Sequence, residues 1–263
     1  MKILLAVSVV LLGVIGSQGH AASKAKPQAA PPTKWPSVFV GTVPKSGTHL
    51  LFKALTLITG TQWQFHMSKW EGHPVVACHL NRRDRADMFA SDKWRSIVLY
   101  RDPRDAIISQ LHYIIDRNYH WLHTFDLKGL QRFKALPQEQ QISFLINLSN
   151  GRDINWFSRE ALKWRDAPRI LSICFEDLIG SKGGGDDAQQ RVALEQIGSW
   201  LGYNMSEKQL THVADNLFGD SKTFRSGQIG NWQNYFTEAH KVLFKQKMGD
   251  LLIDLGYEKD YNW

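Results

Sequence analysis

Four apolar runs of strand length, at residues 37–42, 75–80, 96–101 and 170–175, alternate with longer stretches of helical periodicity. No other feature constrains the chain as strongly. Parallel neighbours in a sheet need a crossover of a dozen or more residues, usually a helix, and these intervals supply it. The expected fold is therefore α/β, with three layers: a mainly parallel central sheet flanked by helices. In such sheets a ligand lies beyond the carboxyl ends of the strands, so the loops after the four runs are where function is sought. Of the 263 residues 43% are hydrophobic, including ten Trp and thirteen Phe, which is enough for a large core and excludes a disordered or fibrous chain.

The helical stretches carry their own punctuation. From residue 48 to 59, Leu51, Leu55 and Ile58 recur at helical spacing. Asp102 suits an N-cap and Pro103 the first helical position, before a buried face of Ile107, Leu111 and Ile114. Ser206 and Gln209 have the spacing of a capping box, and the last helix is expected over residues 237–256 with Leu251, Leu252 and Leu255 buried. The stretch "GSKGGGDDAQQ", 180–190, reads as a surface loop.

At the N-terminus, Lys2 is followed by an apolar run over 3–15 and then by "GSQGHAASK". This is the order of a secretory signal, and the run is shorter than the ~20 residues of a comfortable span. Residues 1–22 are read as a signal peptide cleaved near Ala21 or Ala22, with a short type II anchor as the alternative. Residues 23–35, rich in Ala, Pro and Lys, form a linker, and 36–263 a single domain starting near Trp35. The mature protein is expected in a secretory lumen or outside the cell, with no membrane span after cleavage. Its two cysteines, Cys78 and Cys174, provide neither a disulfide framework nor metal-ligand spacing. A net charge of +7 favours anionic partners.

Three stretches carry chemistry. In "VFVGTVPKSGTHLL" a strand enters a glycine-bounded loop and a helix, so backbone N–H groups, Lys45, Ser46 and Thr48 surround a positive helix end, which suits an anion. The register is not that of a Walker loop, because Lys45 precedes Gly47 instead of following it. In "IVLYRDPRDAIISQLHY" Arg101 ends a strand and Ser109 lies about two helical turns on, the parts of a phosphate clamp. The competing reading pairs Arg101 with Asp102 or Asp105 at the surface. In "TFRSGQIGNWQNYFT" Arg225 stands beside Gly227 and Gly230, where backbone amides and a guanidinium can meet one anion.

Taken together, in order and spacing, these stretches resemble the cofactor-binding segments of the sulfotransferase family, whose members use 3′-phosphoadenosine 5′-phosphosulfate (PAPS). The resemblance covers roughly Trp35 to the C-terminus and implies a P-loop NTPase-like fold and in-line sulfuryl transfer to an acceptor hydroxyl without a metal. It makes His79, in "VVACHLNRR", the general base and Lys45 the stabiliser of the leaving group. It places Ser46, Gly47, Thr48 and His49 at the 5′ side, and Arg101, Ser109, Arg225, Ser226 and Gly227 at the 3′-phosphate. Phe175, where relatives often carry a tyrosine, would stack on adenine.

The sequence departs from that pattern at Leu50, where relatives carry Trp, at Ala77, where they commonly carry Lys, and at Ser226, where they carry Lys. His49, Arg82 and Arg83 are candidate replacements for the missing charge. The resemblance also implies a sheet order that keeps the strands of Cys78 and Cys174 apart. The acceptor is expected to be a small-molecule or carbohydrate hydroxyl, met by some of Trp63, Phe65, His66, Trp70, His112, Tyr113, Tyr119 and Trp121. No nucleic-acid partner is expected. A P-loop kinase or hydrolase and a non-catalytic polyanion binder are the alternatives, distinguished by ATP dependence and by indifference to loss of His79.

Overall fold

The computed structural model describes residues 31–32, 34–61, 75–80, 89, 91–117, 126–219 and 225–263. Four strands, β1 (Val38–Thr42), β2 (Val75–His79), β3 (Arg95–Tyr100) and β4 (Ile170–Cys174), form one sheet in the order β2-β1-β3-β4, every pair parallel. The described helices are α1 (Thr48–Thr59), α2 (Pro103–Arg117), α3 (Leu127–Ala135), α4 (Gln138–Asn147), α5 (Ile154–Arg165), α6 (Phe175–Ile179), α7 (Asp187–Trp200), α8 (Glu207–Leu217) and α9 (Glu238–Leu255). Short 3₁₀ turns cover Ser181–Gly183 and Asn231–Asn234.

The alternation of side chains along the strands builds the layers. Val38 and Val40 of β1, with Ile97 and Leu99 of β3, face a core made with α1, α6, α7 and α8. Phe39 and Val98 point the opposite way, onto Phe157 and Ala161 of α5. A third cluster joins α2, α3, α4 and α9 through Ile107, Leu111, Leu130, Ile142, Leu145 and Leu251. The three-layer α/β reading therefore holds.

Local expectations also hold where the signal is strong. Leu51, Leu55 and Ile58 are buried on α1, and Ile107, Leu111 and Ile114 on α2. Asp102 accepts from the Arg104 N–H at 2.8 Å. Ser206 and Gln209 close the capping box of α8, and a second one, Thr237 with His240, starts α9. One boundary is corrected: the surface loop over 180–190 ends sooner, because the Asp186 side chain accepts from Gln189 N–H and caps α7.

Cys78 on β2 and Cys174 on β4 belong to opposite edge strands, three steps of about 4.8 Å apart, so about 14 Å separates them against a disulfide reach of about 7 Å. Trp35, at the expected start of the domain, packs edge-on against Tyr203. Among the described residues no helix is long and apolar enough to cross a membrane. Residues 1–22 lie outside the described residues.

Candidate active site

The chain passes from β1 to β2 on one side and then returns to add β3 on the other, so the connections diverge between β1 and β3. Register makes the strand ends level. Thr42 is paired with His79 across β1 and β2, and with Leu99 across β1 and β3. These strand ends and the loops that follow them thus share the carboxyl end of the sheet, and they carry Lys45, His79 and Arg101.

The loop between β1 and α1 is tightly specified. Lys45 has φ 66° and Gly47 φ 92°, both left-handed. α1 starts with no side-chain cap, so its positive dipole end lies beside Lys45 and Ser46. Ser46 is fully buried; its hydroxyl donates to the Val43 carbonyl at 2.7 Å, with the Leu99 carbonyl 3.2 Å away. That hydroxyl therefore ties the loop to β3. A Cβ on Gly47 would lie 2.6 Å from the Phe175 ring. Gly47→Ala combines that clash with a left-handed φ and is expected to destabilise the fold by about 2 kcal/mol, read as a lowered denaturation midpoint; an unchanged midpoint would show the loop to be adaptable.

Beneath the loop, Thr48 donates its hydroxyl to Thr42 Oγ1 at 3.1 Å, and Thr42 Oγ1 lies 3.0 Å from His79 Nδ1. The His79 ring packs edge-on against Phe157. Burial lowers its pKa to about 4, the Thr42 carbonyl offsets part of this, and the charges of Lys45 and His49 push it further down. Lys45 is lowered to about 8 by burial and by the positive charges of Arg101 and Arg117. Its Nζ lies 3.8 Å from the centre of the Tyr113 ring.

Arg101, only 7% exposed, is a clamp. It donates to the Lys45 carbonyl at 3.5 Å, to the Gln228 carbonyl at 2.7 Å and to Asp105 at 3.4 Å. Its Nε is buried without a hydrogen-bond partner. Asp105 also accepts from the N–H groups of Gly230 and Trp232, at 2.8 and 2.9 Å. The ion pair of Arg101 is thus with Asp105 and is buried, which corrects the surface pair of the competing reading. Asp105, Ser109 and His112 share one face of α2 by helical spacing. That face runs along the 225–232 segment, and burial, followed by the charge of Arg225, lowers the pKa of His112. Arg225 is exposed, and Ser226 and Gly227 half-buried.

Phe175, 4% exposed, carries the Arg101 guanidinium 4.1 Å above its ring and lies against Gly47. Its packing supports Arg101 and the loop.

Sequence reasoning missed a further support. Glu176 accepts from the Asp102 N–H at 3.1 Å and from the Tyr257 hydroxyl at 2.9 Å, and burial raises its pKa to about 7. Arg104 pairs with Asp102 and Glu258 and lies 4.2 and 4.5 Å from the rings of Trp232 and Trp263. The local signal was the aromatic content of the C-terminal stretch, Tyr257, Tyr261 and Trp263. Trp63, Phe65, His66, Trp70, Arg82, Arg83, Tyr119 and Trp121 lie outside the described residues, as does the Ala77 side chain.

The family model described as the sulfotransferase domain matches residues 64–256, a stretch that holds His79, Arg101, Ser109, Phe175 and Arg225 and begins after the Lys45 loop. Sulfotransferase 2A6 of Mus musculus is 24% identical over 249 residues, covering 81% of this chain and 82% of its own. Sulfotransferase 2A1 of Homo sapiens is 24% identical over 258 residues, covering 83% and 86%. Among solved structures, mouse sulfotransferase SULT7A1 complexed with PAP superposes with a TM-score of 0.61 at 18% identity, over 85% of this chain and 86% of that one.

Proposed function

Because the chain belongs to the sulfotransferase domain family, we propose that the carboxyl end of β1, β2 and β3 binds PAPS and directs its sulfuryl group to an acceptor hydroxyl. One observation carries this reading: level strand ends gather Lys45, His79 and Arg101 around one helix N-terminus. Burial first, and then the positive charges of Arg101 and Arg117, lower the Lys45 pKa. Such a cluster is stabilised by an anion. The mouse structure with PAP supports the nucleotide class.

The residues fit that nucleotide. The buried, unpartnered Arg101 Nε is a charged donor in need of an acceptor. Lys45, Arg101, Ser109 and Arg225 can each give a charge-assisted hydrogen bond of about 1.5–3 kcal/mol, roughly 8 kcal/mol together. After ordering costs, micromolar affinity is the reasonable expectation, about −8 kcal/mol.

When bound, the nucleotide supplies an activated sulfuryl group. The protein supplies a base and a cation. With Thr42 Oγ1 accepting from both Thr48 Oγ1–H and His79 Nδ1–H, the His79 Nε2 keeps its lone pair and can take the acceptor proton. Lys45 stands beside the α1 N-terminus, suited to charge developing on the leaving oxygen. The apolar N-terminal run favours a secretory lumen, and there a carbohydrate or small-molecule hydroxyl is the acceptor.

Calorimetric titration with 3′,5′-diphosphoadenosine, against ATP with magnesium, tests the reading. A micromolar Kd for the former and none for the latter is expected; tight ATP binding with no response to the 3′-phosphorylated nucleotide overturns it.

A further inference from the structure

Lys45 is held at both ends. Its backbone, in the left-handed region with φ 66°, is pinned by the hydrogen bond from Arg101 to its carbonyl at 3.5 Å. Its ammonium lies 3.8 Å from the Tyr113 ring centre. Among the described residues no carboxylate pairs with Lys45. The groups that face it are cations or neutral: Arg101 from the end of β3, Arg117 from the last turn of α2, and His79 from the end of β2. Burial and two guanidinium charges disfavour the ammonium, so the π face of Tyr113 is the attractive contact that opposes them. The sequence placed Tyr113 among acceptor-pocket candidates; its contact with Lys45 gives it another task.

We propose that Tyr113 is a positioning residue: its ring seats the Lys45 ammonium beside the anion-binding loop and thereby fixes where that cation stands during transfer. This deepens the sulfotransferase reading and rests on it for the transfer step alone. An unanchored lysine would spread over many rotamers, and a cation displaced by about 1 Å stabilises a developing charge far less well.

The test separates the two levels. In the full chain, the pH dependence of Lys45 acylation by acetic anhydride, read by mass spectrometry, gives its titration midpoint. That midpoint is expected at about 8 in the parent protein and in Tyr113→Phe, which keeps the ring. In Tyr113→Leu the two guanidinium charges remain while the attractive face is lost. The midpoint is then expected to fall by about half a pH unit or more, and the transfer rate about tenfold at unchanged nucleotide Kd. Tyr113→Met makes the same comparison should the leucine variant fold poorly. A midpoint and a rate that stay at parental values in both ringless variants overturn the proposal. A shifted midpoint in a protein that transfers no sulfuryl group supports the seat on Tyr113 and overturns only the reading of function.

Discussion

His79→Ala is expected to lower sulfuryl transfer by about 10²–10⁴-fold, the range for loss of a general base, while the Kd for 3′,5′-diphosphoadenosine stays unchanged. The separation follows from geometry. His79 sits at the end of β2 and touches Thr42, whereas the proposed 3′-phosphate site lies at Arg101 and the 225–232 segment that Arg101 and Asp105 hold beyond β3. The ring has a pKa of about 4, so it is neutral and able to accept a proton across the physiological range. A base works only when deprotonated, so kcat/KM is expected to fall as pH drops through that value, and this acid limb should vanish in His79→Ala. A dianionic ligand nearby would raise the value, so the acid limb of kcat should lie above that of kcat/KM. Undiminished transfer in His79→Ala would remove the base assignment. Equal losses in binding and transfer would place His79 in the nucleotide site instead.

Much of the fold was legible because interior strands of a parallel sheet are buried on both faces and read as continuous apolar runs. The four runs match β1 to β4 to within a residue at either end. Capping chemistry is equally local, so Asp102 and Ser206 marked helix starts correctly. The site was legible as a set of cations and hydroxyls but not as a set of contacts. Arg101 and Asp105 are four residues apart, a spacing that suits an exposed helical pair. What buries them is the return of Gly230 and Trp232 from more than a hundred residues away, which no local pattern announces. Phe175 was read for its aromatic face; its task under Arg101 depends on Gly47 having no Cβ. The clasp of Arg104 between Trp232 and Trp263 likewise joins residues far apart in the chain.

Lys45→Met is expected to lower transfer about 10²–10³-fold, as for removal of one preorganised donor to a developing negative charge, with a smaller loss of nucleotide affinity. Its pH signature is opposite to that of His79. Lys45 acts as a cation; its pKa of about 8 keeps it protonated at neutral pH and costs activity as pH rises through that value. The parent protein should therefore show a bell, with an acid limb from His79 and an alkaline limb from Lys45, and Lys45→Met should lose the alkaline limb. Lys45→Arg makes the sharper comparison. A guanidinium stays charged well above this range, so the alkaline limb should disappear although a cation is retained. The rate should still fall, because a planar, delocalised fork presents its charge differently from the compact ammonium that lies 3.8 Å from the Tyr113 ring centre. An alkaline limb near 8 that survives in Lys45→Arg would mean that another group titrates there, and that Lys45 serves the loop through its backbone alone.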